Sequence, residues 1–327
     1  MIEVRELYKY YGEHRAAGPL SFSIEKGEIV GLLGLNGAGK TTALRVLACD
    51  LLPSSGTVMV DGIDVVDQPH EVRRRIGYLP DTPPLYGEMT VHEFLVFAAR
   101  LRGLSASDAD GRARSVEEAA QLEGVRDELI SSLSHGFRQR VGIAQAVVHR
   151  PRLLILDEPI SGLDPVQIVE MRQLLRTLRG EHTIVLSSHI LTEISETCDR
   201  LLVLGEGRIV AAGTEEELSR DLRGGAQVEL SVRTDDAAGA REVLSKVEGV
   251  RRVEPLAPRE TGPRVVSFRV EAERDVREAA CRALVEARLG VLEIVRRKNE
   301  LESIFLRLTG ADGAERGRNS DDRGSAS

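Results

Sequence analysis

The chain has 327 residues, of which 29% are charged and 42% hydrophobic, with a formal net charge of -8. That length exceeds one ordinary core and predicts two domains of a soluble globular type. The negative balance argues against a general nucleic-acid binder, and aromatics at 3% with no Trp argue against a base-stacking RNA surface.

In chain order, "EVRELYKYY" and "PLSFSIEKG" alternate as strands do, and "EIVGLLG" (28–34) is a short apolar run expected to form a buried strand. A Gly-rich turn follows, then "KTTALRVLACDLL" with helical spacing. "TVMVDGIDV" (57–65) predicts a hairpin turning at Asp61 and Gly62. Residues 90–131 carry good helix formers at helical spacing, which predicts a helical insertion. "PRLLILDEP" and "HTIVLSSH" predict two more buried parallel strands, with helices over 138–149 and 165–179. "RLLVLGEGRIVAAG" predicts an antiparallel pair, and Thr214 with Glu217 fits a capping box.

"RGGA" (223–226) is expected to be a linker, after which a βαββαβ pattern predicts a small ferredoxin-like domain. "NELESIFLRLTG" is predicted as a final amphipathic helix, and 311–327 as a disordered tail with little to bury. The basic runs at 73–75 and 251–252 are expected to be solvated faces. Cys49, Cys198 and Cys281 lie far apart with no CxxC pair, which indicates neither a zinc site nor a disulfide framework and fits a reducing cytoplasm. The polar, acidic N-terminus is unlike a signal peptide, and no apolar run approaches the roughly 18 residues of a membrane helix. Contact with a membrane would therefore run through a partner.

Two motifs carry chemistry. "GLNGAGKT" (34–41) matches G-x-x-x-x-G-K-[ST], between an expected strand and an expected helix. Backbone N–H groups around Asn36, Gly37, Ala38, Gly39 and Thr42 are expected to converge on phosphate oxygens, helped by the positive end of the helix. Lys40 is expected to reach the β- and γ-phosphates of ATP and Thr41 to bind Mg²⁺. "LLILDE" (153–158) would deliver Asp157 at the C-terminal end of a buried strand, holding Mg²⁺ through water, with Glu158 polarising the attacking water. An acidic pair after a strand can also be a mere helix cap, so this motif gains its meaning from the phosphate loop. His189, ending "VLSSH", is expected to contact the γ-phosphate.

Taken together, "GLNGAGKTT", "LSHGFRQR", "LLILDEP", "SGLD" and "SSH", in that order over about residues 1–220, resemble the ATP-binding-cassette (ABC) family. The resemblance implies an α/β fold, a P-loop ATPase domain over 1–222 with an antiparallel β subdomain and a helical subdomain at about 88–140. The accessory ferredoxin-like α+β domain would follow over 226–310. It implies that Ser134 and the N–H groups near Gly136 cap a nucleotide held by a second cassette across a head-to-tail dimer. A homodimer is preferred to a heterodimer with a related chain. Tyr11 resembles the aromatic that stacks on adenine, its alternative being a strand residue packed on the core. Ser161 and Asp164 of "SGLD" resemble the loop that crosses between the two sites.

Two positions depart from the family. Asp81 stands where most cassettes have a Gln that touches Mg²⁺ and the attacking water. It either ligates the metal or its waters, or turns away before Thr82-Pro83-Pro84. His135 and Phe137 replace the commonest signature residues, while Ser134 and Gly136 remain. The signature, the "GYLPDTPPLYGEMTVHEFL" stretch and the "LESIFLRLTG" ending resemble the branch serving ABC-2-type export permeases. That implies an exporter ATPase on the cytoplasmic face of the membrane, partnered by an integral-membrane permease and no nucleic acid. A soluble ABC ATPase of DNA repair or translation is the alternative, and it lacks a long heptad insertion, a zinc module and a tandem cassette here. A cassette that binds ATP as a switch with little turnover is a third reading, hinted at only by Asp81.

Overall fold

The computed structural model describes residues 1–221, 226–256 and 264–296. The chain divides into two compact units, one over Met1–Glu215 and one beginning at Glu216. The first unit opens with strands over Ile2–Tyr11 (β1) and His14–Ile24 (β2), followed by the fully buried Ile29–Gly34 (β3). A helix over Lys40–Leu47 (α1) leads to the hairpin of Ser55–Val60 (β4) and Ile63–Asp64 (β5). Asp61 and Gly62 at its turn both have positive φ, at 51° and 75°, the geometry of a tight two-residue hairpin.

Next come a short helix over Pro69–Arg73 (α2), a strand over Ile76–Leu79 (β6), and helices over Val91–Leu101 (α3), Ala106–Ala119 (α4) and His135–Val147 (α5). The strand Leu153–Leu156 (β7), the helix Pro165–Thr177 (α6), the strand Thr183–Ser188 (β8) and the helix Leu191–Ile194 (α7) follow. The antiparallel pair Arg200–Gly205 (β9) and Arg208–Gly213 (β10) precedes a helix over Glu215–Asp221 (α8), which spans the division between units.

Two sheets organise the first unit. One is antiparallel, in the order β2-β1-β4-β5. The other runs β10-β9-β3-β8-β7-β6, parallel except for its β10 edge. β3, β7 and β8 are buried along their whole length, which is why β3 and β7 appear in the sequence as apolar runs rather than alternations, and why β8 keeps an apolar centre ahead of two buried serines. A core of Ile2, Leu7, Leu20, Val30, Leu32, Leu44, Ile155 and Val185 joins both sheets to α1. In the helical part, His92 on α3 reaches two carboxylates of α4, Glu117 at 2.6 Å and Asp110 at 3.0 Å. Thr90 and Glu93 form a full capping box at the start of α3.

The expected helix at 138–149 begins three residues earlier, because Ser134 caps it by accepting from the Phe137 N–H. It stops before Arg150, whose φ is 55°, and Pro151.

In the second unit, Ala226–Arg233 (β11), Ala237–Ser245 (α9), Val250–Leu256 (β12), Val265–Ala272 (β13), Arg277–Glu286 (α10) and Gly290–Arg296 (β14) alternate as βαββαβ. The antiparallel order β12-β13-β11-β14 is that of a ferredoxin-like sheet. Val228, Leu230, Phe268, Leu244 and Leu284 fill its core. The expected C-terminal helix and tail lie outside the described residues, as does most of the expected linker.

Candidate nucleotide site

A cleft of about 490 Å³ lies where β3, β7 and β8 end. C-terminal strand ends are where open α/β sheets place ligands. Its walls include Tyr11, Asn36, Gly37, Gly39, Lys40, Thr41, Thr42, Asp81, Glu158, Ser161 and His189. Residues singled out in separate stretches of sequence thus meet in one place.

The loop before α1 has the backbone that phosphate binding requires. Gly39 stands at the N-cap with φ 96°, and no side chain caps the helix. A Cβ there would lie 2.6 Å from the Ala16 carbonyl oxygen. Only glycine fits, and the leading N–H groups of α1 are left for an anion. No acidic residue sits in the first turn to compete for them. Ala38 differs from its neighbours. Its methyl is buried, and its N–H donates to the Leu35 carbonyl at 3.0 Å.

Lys40 is 5% exposed. Its Nζ donates to the Gly34 carbonyl at 2.8 Å and pairs with Glu158 Oε1 at 3.2 Å. The other oxygen, Glu158 Oε2, accepts from His189 Nδ1 at 2.9 Å. Glu158 has φ 49°, a left-handed backbone that costs an ordinary residue about 1–3 kcal/mol and persists only when its surroundings hold it. Ser187 supplies one hold, since the Glu158 N–H donates to its Oγ at 2.8 Å. Ser187 Oγ in turn donates to Asp157 Oδ1 at 2.6 Å.

Asp157 is 1% exposed, and its Oδ2 has no hydrogen-bond partner among the described residues. Burial pushes its carboxyl above the usual range. The hydrogen bond from Ser187 and the nearby Thr41 hydroxyl pull the other way, and the charges of Glu158 and Asp81 add to the rise. A buried, unpartnered carboxylate oxygen beside a threonine hydroxyl suits a hard cation, so these residues fit Mg²⁺. The same field acts on Tyr78, whose phenol burial first, then the Asp157 charge, pushes up to about 12.

Asp81 is exposed on the cleft wall, close enough to raise Asp157 electrostatically. Tyr11 is 49% exposed on the same cleft, with the Lys9 ammonium 5.4 Å from its ring centre. That exposure removes the alternative of a core-packed strand residue. His14 and Ala16 also line the cleft and were not anticipated. They arrive because the β1–β2 hairpin pairs Tyr11 with His14, a register visible only once the turn is known.

Ser134 and Gly136 do not join this cleft. Ser134 is exposed at the start of α5, and Gly136 is buried against Gln167. His135, beside them, donates from Nε2 to the Ser161 carbonyl at 3.1 Å. Asp164 caps α6, accepting from the Val166 and Gln167 N–H groups.

The fold and the cleft define a P-loop nucleotide-binding cassette. Residues 17–161 match the family described as ABC transporter. The bacitracin transport ATP-binding protein of Enterococcus faecalis is 34% identical over 319 residues, covering 96% of this chain and 97% of that protein. The daunorubicin resistance ATP-binding protein of Streptomyces coeruleorubidus is 34% identical, over 93% and 94% of the two chains. Among solved structures, an ATP-binding cassette captured as a dimer after hydrolysis with ADP and Pi superposes with a TM-score of 0.60. It is 26% identical and covers 65% of this chain and 98% of that one. The chain belongs to the ABC transporter family, among its ATP-binding subunits.

Proposed function

We propose that the chain hydrolyses ATP with Mg²⁺ and uses the cycle to drive a separate membrane permease that exports its cargo. One observation carries the reading. The cleft gathers the phosphate loop, Glu158 and His189, with Asp157 buried next to Glu158, while the signature residues Ser134 and Gly136 lie off it in the same chain. One chain therefore offers a site that two chains would complete.

In this reading Tyr11 stacks on the base, and the N–H groups from Asn36 to Thr42 hold the phosphates. Lys40 gives up Glu158 for the β- and γ-phosphates. Thr41, Asp157 and Asp81 would hold Mg²⁺, which supplies charge neutralisation at the phosphates. Glu158 accepts the proton of the attacking water. His189, already bonded to Glu158, fixes the carboxylate's orientation and faces the γ-phosphate. Ser134 and Gly136 cap the nucleotide in the cleft of a second cassette, most simply another copy of this chain. α3, α4 and the segment bearing Asp81 pass the motion to the permease. The exporter reading, and with it an ABC-2-type permease, draws on relatives named for bacitracin transport and daunorubicin resistance. No helix among the described residues is long and apolar enough to cross a membrane, so this reading assigns the permease to another polypeptide. The cytoplasmic face of the membrane is proposed for this chain from its likeness to transporter ATP-binding subunits.

The test is capture from membranes of the source cells. Tagged Glu158→Gln chain is trapped with Mg-ATP and its companions are identified by mass spectrometry. A multi-span membrane protein is expected. Recovery of ribosomal or DNA-repair proteins alone would sink the transporter reading.

A further inference from the structure

The signature of this chain carries an imidazole that reaches back toward its own cleft. His135 Nε2 lies 3.1 Å from the Ser161 carbonyl oxygen. A carbonyl only accepts, so Nε2 carries the proton and donates it. The Ser161 N–H donates in turn to the Glu158 carbonyl at 3.2 Å, closing the turn that Glu158 opens in its left-handed conformation. Ser161 itself lines the cleft. From His135 to Glu158 the path is thus one side-chain bond and one turn.

The surroundings make that path stiff at its base and free at its tip. Arg140, buried on α5, donates to Glu170 on α6 and to Gln121 Oε1 at 2.8 Å. Gly136 lies flat against Gln167 of α6, where an added Cβ would stand 2.8 Å from the amide carbon. The His135 ring covers Gly162. α5 and α6 are therefore clamped together, whereas Ser134 and His135 stand exposed at the helix start. A conformation as costly as that of Glu158 needs external determinants. The Ser187 hydroxyl holds its N–H side, and the His135 bond holds its C-terminal side through Ser161.

We infer that His135 is a positioning residue for hydrolysis. Its hydrogen bond fixes the turn that aims Glu158, and it ties the signature, which would meet the partner's nucleotide, to the carboxylate that acts on the chain's own. The inference rests on the ATPase reading above. The Tyr11 ring, the phosphate-loop N–H groups and the Lys40 bond to the Gly34 carbonyl do not pass through His135, so the bond governs turnover and leaves ATP affinity alone.

The experiment compares steady-state ATPase of the full chain with that of His135→Ala and His135→Gln. A glutamine amide places an N–H at about the reach of Nε2. His135→Ala is expected to lose roughly threefold to tenfold in kcat, the scale of one ordinary hydrogen bond, with KM for ATP unchanged. His135→Gln is expected to recover most of that loss. ATP-driven dimerisation, measured by size exclusion on Glu158→Gln with and without His135→Ala, is expected to be the same. Parental kcat in His135→Ala would overturn the inference. So would a matching rise in KM or loss of dimer, which would make His135 a nucleotide contact, or a failure of Gln to rescue. If Glu158→Gln does not dimerise with ATP at all, the two-chain reading fails by itself, while the kcat comparison still decides whether His135 positions Glu158.

Discussion

Asp157→Asn should make the nucleotide-free protein more stable and the nucleotide-bound protein less so. The asparagine side chain keeps an Oδ1 that can accept from Ser187, so the 2.6 Å bond survives. The buried negative charge disappears, along with its repulsion from Glu158 and Asp81. Replacing a buried charge by a neutral group of the same shape returns about 1 kcal/mol or more. For a unit of this size that is about 2–4 °C in Tm. The gain has a pH signature. The Asp157 carboxyl titrates higher in the folded chain than its ordinary value of 3.8, so the folded state holds the proton more tightly. Wild-type stability is then fullest below that ordinary value and falls as pH rises through the folded one. The advantage of the Asp157→Asn variant over the parent should be absent in acid and reach a plateau above the folded pKa. With Mg-ATP at about 100 times its Kd the wild type gains about 2.7 kcal/mol from ligand binding, or roughly 5–11 °C. A variant without the carboxylate proposed to hold the metal should gain far less. Thermal melts of both chains in EDTA and in Mg-ATP should therefore cross over. A variant that melts lower in EDTA would refute the reasoning, because Asp157 would then be stabilising the fold rather than being held for a cation.

Tyr11→Ala should raise the Kd for ATP by roughly 5- to 100-fold, the value of one base-stacking contact, while Tyr11→Trp keeps it. Calorimetry with ATP and with triphosphate decides the matter, since triphosphate affinity should not move. Asp81→Gln should raise the Mg²⁺ concentration for half-maximal ATPase severalfold. An unchanged metal dependence would remove Asp81 from the metal's surroundings.

Local signals made the cassette legible. The phosphate loop announces itself because its function needs glycines, a lysine and a following helix at fixed spacing. β3 and β7 were readable because strands buried on both faces leave few polar positions to break an apolar run, and β8 through the apolar stretch Ile184–Leu186 ahead of its two serines. The order of those strands was not readable. That β3 lies between β8 and β9 depends on crossovers through helices, and no short stretch encodes it. The same limit hid His14 and Ala16, which reach the cleft only through hairpin register. It hid the role of the left-handed backbone at Glu158 too, since nothing about a Glu before Pro159 advertises a positive φ. His135 was visible as a departure from the family signature, yet its partner, 26 residues onward, was not. Side chains whose meaning is a contact across the fold need the fold first.

β7 is only four residues long, and each of them pairs with β6 on one side and β8 on the other. Asp157 is then caught at once, its N–H donating to the Leu79 carbonyl at 2.8 Å. The strand works as a ruler between the core and the two carboxylates. Deleting one of its residues would seat Glu158 where Asp157 belongs and Pro159 where Glu158 belongs. Inherited change in this segment is thus constrained in length far more than in spelling: one aliphatic residue can stand in for another, but the count from Leu153 to Glu158 must stay fixed.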